Sequence, residues 1–151
     1  MIDIQKFDDA EHMERLLAQN VATLLESLIK EKGQATLCVP GGRSPKNFLH
    51  YLACKSVPWD KVMITLTDER WVATDSPESN EYQVREQLLQ SEVTNAWFLP
   101  LKMNFPSPVE AVQACEERLL ESAPKLDVVI LGMGEDGHFA SLFPHDKALD
   151  K

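Results

Sequence analysis

The sequence predicts an α/β fold, a three-layer αβα arrangement around a mostly parallel sheet. Amphipathic helical stretches alternate with short apolar runs at 35–39, 62–66 and 126–131. These runs are mostly apolar and do not alternate between apolar and polar residues, as expected for strands that helices cover on both faces. Each run leads into a polar or glycine-rich loop, where parallel-sheet proteins place their ligands.

The first predicted element is an amphipathic helix over about 9–31. Its apolar residues recur at three- and four-residue steps, which is the spacing of one helix face. Gly33 follows as a stop signal, and 35–39 is the first strand. The predicted apolar face consists of Met13, Leu16, Leu17, Val21, Leu24, Leu25 and Leu28.

The turn 40–43 separates the first strand from a second helix. Ser44 is a suitable N-cap, and Pro45 is suited to the first helical turn. The helix is predicted to run to about residue 54.

The remaining elements continue the alternation. We predict a strand at 62–66, a helix at 81–90, a weaker strand at 97–99, a helix at 108–122 and, at 126–131, the strongest strand of all. No internal repeat or linker interrupts this order, so 1–151 is predicted to form a single domain.

Composition limits the classes of function. The 151 residues carry a net charge of −9, which argues against nucleic acid or an anionic membrane as a partner. The first four residues contain no basic region followed by an apolar core, and no apolar run approaches the roughly 18 residues of a membrane span. We therefore predict a cytoplasmic protein. Its three cysteines lack Cys-x-x-Cys spacing and are predicted to be reduced and buried.

Three loops are predicted to meet at one edge of the sheet, since the carboxyl ends of parallel strands point the same way. The first, 40–44, has the features of a phosphate cradle. Gly41 and Gly42 let backbone N–H groups approach an anion, Arg43 adds a cation, and the helix behind Ser44 presents its positive end. An ordinary strand-to-helix turn explains the two glycines equally well.

The second loop, 67–71, places Asp68, Glu69 and Arg70 at a strand end. A solvated, salt-bridged loop is the commoner fate of such a tripeptide. Its position between two glycine-containing loops also fits a functional role, and both interpretations stay open.

The third loop matches a dinucleotide-binding fingerprint, G-x-G-x-x-G, at 132–137. Three features oppose that interpretation. Glu135 and Asp136 would repel a pyrophosphate, and Pro144 would cut short the helix that should bind it. The ribose-binding acid expected about 20 residues further on would fall beyond Lys151. We therefore predict no nicotinamide cofactor.

Asp136 and His138, joined by Gly137, form the best candidate for catalysis. The carboxylate can bend back to hold one ring nitrogen, which leaves the other free to accept a proton from water. A structural role is expected for His12 and His50. A metal site at His138 and His145 lacks further ligands at a recognisable spacing, so no metal is predicted.

Three segments together resemble the family of 6-phosphogluconolactonases and glucosamine-6-phosphate deaminases. They are Gly-Gly-Arg-Ser-Pro at 41–45, Asp-Glu-Arg at 68–70 followed by Ser-Asn at 79–80, and the stretch 132–144. The resemblance implies a NagB/ribose-5-phosphate-isomerase-like fold and no cofactor. It implies hydrolysis of 6-phospho-D-glucono-1,5-lactone, a small sugar-phosphate substrate of the pentose phosphate pathway.

The resemblance also implies roles for individual residues. His138 would act as general base, Asp136 would orient it, and Arg70 would stabilise the oxyanion or hold the phosphate. Asp68 is the fourth residue expected to be catalytic. The residues expected at the substrate are Gly41, Gly42, Arg43, Ser44, Asn80, Gly134 and Gly137.

Two alternative functions share this fold. A deaminase or isomerase of sugar phosphates would carry Asp-Glu-Tyr at 68–70 and a glutamate shortly after the Gly-His pair, and this chain has neither. A non-catalytic sugar-phosphate sensor would usually adjoin a basic DNA-binding segment, and none is visible.

Departures from the family pattern lead to further expectations. Family members continue past residue 151, so the chain is expected to lack the carboxyl-terminal part. An exposed sheet edge and self-association are then predicted. His145 stands where glycine is common in the family, and Pro40 where serine is common.

Overall fold

The computed structural model describes residues 2–150, with the backbone alone for 148 and 150, so residues 1 and 151 of the predicted domain lie outside it. Helices and strands alternate along the chain as predicted. The helices are α1 (Ala10–Lys32), α2 (Lys46–Ala53), α3 (Asn80–Gln87) and α4 (Pro108–Ser122). The strands are β1 (Ala35–Val39), β2 (Val62–Leu66), β3 (Trp97–Leu99) and β4 (Val128–Val129). Short 3₁₀ helices lie at Trp59–Lys61, Ser91–Asn95 and Lys147–Asp150.

The four described strands form one parallel sheet in the order β3-β2-β1-β4. In its centre Leu37 pairs with Ile64 on one side and with Val128 on the other. The continuous apolar runs of β1 and β2 occupy this centre, which is why all five residues of β1 are buried.

The chain reverses direction across the sheet after β3. The β1-α2-β2 and β2-α3-β3 crossovers proceed one way, whereas β3-α4-β4 returns to the opposite edge. Because such crossovers are right-handed, α2 and α3 lie on one face and α4 on the other. Helix α1 packs against α2 and β1 and therefore completes the first face. The predicted three-layer α/β fold is confirmed.

The main core lies between the sheet and the first three helices. Leu25 of α1, Leu49 of α2 and Ile64 of β2 are completely buried there. Burial of each such side chain contributes about 1.5–3 kcal/mol. The opposite face is covered less, and Trp97 of β3 is 60% exposed.

Helix α1 begins and ends at the predicted signals. Asp9 caps its first turn by accepting from the N–H groups of Glu11 and His12. Gly33 ends it in the left-handed conformation, with φ of 85°. The predicted apolar face was wrong in part, since Met13 and Leu24 are exposed while Ala18 and Ala22 are buried. Small residues pack there because α2 lies close against α1.

Two boundary predictions were wrong. Ser44 does not cap α2, because 44–45 form a turn and the helix begins at Lys46 with Pro45 as its N-cap residue. The predicted strongest strand, 126–131, is reduced to the two residues of β4. Among the described residues β4 pairs with β1 alone, and Val129 is 45% exposed. Apolar composition therefore did not lead to burial at this edge of the sheet.

Within residues 2–150, no helix has both the length and the apolar character needed to cross a membrane.

All three cysteines are free. Cys38 is buried, as predicted, and burial raises the pKa of its thiol to about 11, with Asp68 adding to the increase. Cys54 is exposed and Cys115 is partly buried, which corrects the prediction for those two.

Candidate active site

Glu69 fixes the second loop to the start of α3. Its carboxylate accepts hydrogen bonds from the backbone N–H groups of Asn80 at 2.7 Å and Glu81 at 2.8 Å. The Ser79 hydroxyl donates to it at 3.1 Å. A carboxylate at this position is favourable, because the first N–H groups of a helix lack partners and carry partial positive charge. The Glu69 carboxylate thus holds the second loop against the start of α3.

Asp68, whose side chain is 13% exposed, is the centre of a second set of bonds. Its Oδ1 accepts from Thr67 Oγ1 and from Asn80 Nδ2, each at 3.2 Å. Its Oδ2 accepts from Ser141 Oγ at 2.7 Å, and Arg70 Nε lies 3.9 Å from the same oxygen. Both oxygens are therefore engaged by protein groups.

The first loop contacts α3 through both of its glycines. A Cβ atom on Gly41 would overlap the amide group of Asn80, so only glycine fits there without displacing that side chain. Gly42, with φ of 96°, donates its N–H to Gln83 Oε1 at 2.7 Å. That N–H is not free for an anion as the sequence had suggested. Gln83 also donates to Pro77 O at 2.8 Å.

The side chains of the first loop are available to a ligand. Arg43 and Ser44 are exposed. Neither side chain takes part in a hydrogen bond or ion pair within the part of the chain that the structure describes. Asn80, by contrast, is only 1% exposed, and its Nδ2 donates to the carbonyl and the carboxylate of Asp68.

The third loop is compact around His138. Gly134 N–H donates to His138 O at 2.8 Å, and Gly137 N–H donates to Gly134 O at 3.0 Å. A Cβ on Gly134 would overlap the His138 ring. The ring also lies against Phe143, with centroids 4.5 Å apart. The imidazole is therefore fixed relative to its own loop.

Asp136 holds the imidazole as the sequence predicted. His138 Nδ1 lies 2.5 Å from Asp136 Oδ1, and the His138 backbone N–H donates to the same oxygen at 3.2 Å. The bond to His138 keeps the pKa of the Asp136 carboxyl below its ordinary value. The carboxylate thus stays ionised and directs the ring, which leaves Nε2 as the nitrogen available to a substrate or water.

None of the described residues after Gly137 forms an α-helix, so this loop does not lead into the helix that a dinucleotide-binding fingerprint requires. Residues 139–142 instead form a tight turn closed by Leu142 N–H and Phe139 O at 3.0 Å. Ala140 in this turn has φ of 49° and His145 has φ of 66°. Both lie in the left-handed region that favours glycine. The glycine expected from the family pattern at position 145 matches this conformation.

The three predicted loops are joined through α3 and Asp68. Gly41 contacts Asn80, Asn80 binds Asp68, and Asp68 binds Ser141 just beyond His138. Ser141 and Gln83 were missed by sequence reasoning, because their partners lie 73 and 41 residues away. Within residues 2–150, no group of three or more His, Cys, Asp or Glu side chains is placed to hold a metal ion.

Fold and site together define an α/β protein whose candidate active site lies where three loops meet at the carboxyl edge of a parallel sheet. Residues 8–151 match the family of glucosamine-6-phosphate isomerases and 6-phosphogluconolactonases. The chain belongs to that family. The predicted family and its NagB-like fold are therefore confirmed.

Similar proteins include a 6-phosphogluconolactonase of Pseudomonas aeruginosa, 41% identical over 99% of this chain and 63% of its own length. Another, from Mesorhizobium japonicum, is 44% identical over 91% of this chain and 58% of its own length. The crystal structure of a 6-phosphogluconolactonase from Shewanella baltica superposes with a TM-score of 0.91. It is 41% identical, and the match covers 95% of this chain and 62% of that one. The chain thus spans about three fifths of the length of these relatives.

Proposed function

We propose that this chain carries the site for hydrolysis of 6-phospho-D-glucono-1,5-lactone to 6-phospho-D-gluconate. The observation that carries the proposal is the Asp136–His138 pair, in which Asp136 Oδ1 lies 2.5 Å from His138 Nδ1. The loop with this pair lies at the same edge of the sheet as the turn formed by Gly41 and Gly42, the diglycine turn. Relatives 41% and 44% identical that are named 6-phosphogluconolactonase support the choice of substrate. On this proposal, 1–151 acts as one sugar-phosphate-binding domain.

His138 would serve as the general base. With Nδ1 held by Asp136, Nε2 accepts a proton from water as the water oxygen attacks the lactone carbonyl. In the tetrahedral intermediate the bond between the carbonyl carbon and the ring oxygen then breaks, and the ring oxygen takes the proton from His138. The carboxylic acid formed releases its own proton to solvent and becomes a carboxylate. A lactone carbonyl is already electrophilic, so this chemistry uses no cofactor. A positioned base contributes roughly 10²–10⁴-fold.

Arg43 and Ser44 would hold the phosphate, beside the turn formed by Gly41 and Gly42. Both side chains are exposed and lack protein partners among the described residues, so they can bind an anion without breaking an existing bond. An arginine–phosphate pair is favourable even on an acidic protein, because the charge-assisted bonds are short and directional. Gly42 would contribute the conformation of the turn, because its N–H already donates to Gln83 Oε1 and is not available to the phosphate.

Arg70 would stabilise the oxyanion that develops on the carbonyl. Its guanidinium lies near Asp68 Oδ2, the same oxygen that accepts a hydrogen bond from Ser141 of the His138 loop. Charge that develops in the transition state is stabilised most by groups already in position. Asp68, Gly134 and Gly137 would shape the site, Gly134 by leaving room for the imidazole ring.

Lactone hydrolysis by the purified chain tests the proposal, measured as acid release with the spontaneous rate subtracted. His138→Ala is expected to lower kcat about 10²–10⁴-fold with little change in KM. Asp136→Asn should lower kcat less, because the imidazole base remains and only its orientation is lost. His50→Ala, which changes an exposed histidine on α2, is the matched control and should retain full activity.

A normal kcat in His138→Ala would remove this histidine from the chemistry. Ammonia release from glucosamine 6-phosphate without lactone hydrolysis would favour a deaminase. Tight binding of 6-phosphogluconate without turnover would favour a sensor. The cytoplasmic location, self-association through the β4 edge, and the absence of nucleic-acid and membrane partners stay predictions.

A further inference from the structure

Ser141 forms a bond that joins two distant parts of the candidate site. Its hydroxyl donates to Asp68 Oδ2 at 2.7 Å across 73 residues of sequence. Ser141 lies at the far end of the loop that carries His138, within the tight turn at 139–142. At the near end, Ile130 N–H donates to Cys38 O of β1 at 2.9 Å. The loop is thus attached on both sides of His138, to β1 on the near side and to the loop that follows β2 on the far side.

The acceptor of this bond is itself immobilised. Asn80 Nδ2 donates to both the carbonyl and the carboxylate of Asp68, at 3.0 and 3.2 Å. Asn80 is in turn 1% exposed and in direct contact with Gly41. A hydrogen bond to a carboxylate held in this way defines a position in space, whereas one to a mobile surface carboxylate does not.

The internal bonds of the loop fix the shape around His138 but not the place of that loop over the sheet. The Asp136–His138 and Gly134–His138 bonds both lie within 134–138, so they would move with the loop as a unit. The Ser141–Asp68 bond links that unit to the loop of Arg70 and, through Asn80, to the diglycine turn.

We propose that Ser141 is a positioning residue. It holds the His138 loop at a fixed distance from Arg43 and Ser44, the distance that one sugar phosphate must span. The proposal rests on the function proposed above. Because both Asp68 oxygens accept bonds from protein groups, Asp68 is the anchor for Ser141.

Ser141→Ala, Ser141→Thr and a remote control distinguish positioning from general stability. Ser141→Ala is expected to lower kcat about ten- to a hundredfold, since small misplacements of a catalytic group cost that much. KM and the melting temperature should change little. Threonine keeps the hydroxyl and should restore kcat to within about threefold. Ser27→Ala, which removes an exposed hydroxyl bonded to Thr23 O of α1, should behave as wild type.

The pH profile distinguishes a displaced base from an altered one. The Asp136–His138 pair stays intact in Ser141→Ala, so activity should fall by the same factor at every pH. A kcat within twofold of wild type, or a loss that threonine does not restore, would overturn the proposal.

Hydrogen exchange tests the anchor without reference to catalysis. The amides of Leu142, beside Ser141, and Ile130, where the loop joins β1, should exchange faster in Ser141→Ala. The amide of Gly134, whose bond moves with the loop, and those of β1 and β2 should keep wild-type rates. If the wild-type chain shows no lactonase activity, the proposed function fails and this exchange pattern alone decides whether Ser141 anchors the loop. Unchanged loop exchange would then refute the anchor as well.

Discussion

One aspartate lies at each end of the parallel strands, and the two are bonded in different ways. These ends are the amino edge and the carboxyl edge of the sheet. At the amino edge, Asp127 binds the backbone N–H and hydroxyl of Thr36 at 2.8 and 2.9 Å and also pairs with Lys32. At the carboxyl edge, Asp68 accepts hydrogen bonds from Asn80 at the start of α3 and from Ser141 of the third loop. The first arrangement fixes β1 against the segment before β4, and the second fixes loops relative to one another.

The difference separates stability from function. The Asp127 side chain is 4% exposed and bonds directly to a strand, so changes there should alter the free energy of unfolding. The carboxyl-edge loops carry exposed cations and strained backbone, so changes there should alter ligand binding and turnover. Three sets of substitutions test this separation.

Asp127→Asn should have the largest effect and should act on stability. Burial alone would raise the pKa of this carboxyl, but the hydrogen bonds from Lys32 and Thr36 outweigh burial and lower it. A lowered pKa stabilises the fold above the unfolded value of about 3.9, and the stabilisation is lost as the pH falls through the folded pKa. We expect a loss of about 2 kcal/mol at pH 7 in urea unfolding, shrinking below about pH 4.

Asp60→Asn is the matched control for Asp127→Asn. Asp60 also pairs with a lysine, Lys61 at 3.4 Å, but both side chains are more than half exposed. Such pairs contribute at most about 1 kcal/mol. Equal effects of the two substitutions, or a loss at Asp127 that does not depend on pH, would contradict the contrast between the edges.

Arg43→Ala should come next and should act on binding. Loss of a charge-assisted bond to phosphate is expected to raise KM for the phosphorylated lactone about tenfold, with kcat and the melting temperature nearly unchanged. Unphosphorylated gluconolactone should show no such penalty. Arg15→Ala on α1 serves as control, and an unchanged KM in Arg43→Ala would place the phosphate elsewhere.

His145→Gly should have the smallest effect, a gain in stability. His145 has φ of 66°, whereas the amino edge uses Gly33 for its left-handed turn. The left-handed conformation costs a non-glycine residue about 1–2 kcal/mol, offset in part by the entropy of glycine, so we expect a net gain of about 0.5–1 kcal/mol. The reciprocal change, Gly33→Ala, meets open space and should cost a similar amount. A lower stability for His145→Gly would show that its side chain matters.

Much of the fold was predictable because its signals are local. The bounds of β1, β2 and β3 matched, since each apolar run is short and flanked by turn residues. The Asp136–His138 pair was predictable for the same reason, as only Gly137 stands between its members. Helix α4 also began and ended where its proline and periodicity indicated.

The errors arose where distant neighbours decide the outcome. The run at 126–131 is apolar enough for a buried strand, yet among the described residues it has a sheet neighbour on one side only. The role of Glu69 depends on 72–79 folding back so that the start of α3 reaches its carboxylate. No periodicity encodes the Ser141–Asp68 bond, because it depends on the complete arrangement of the sheet.

The contact between Gly41 and Asn80 limits how this protein could be re-engineered. A single methyl group at position 41 would displace the amide, and the rearrangement would spread to Asp68 and from there to Ser141. Mutant libraries designed to find new substrates should therefore keep positions 41, 68, 80 and 141 constant. They should randomise the exposed residues Arg43 and Met133. Diversity placed in the interior would mostly yield inactive clones.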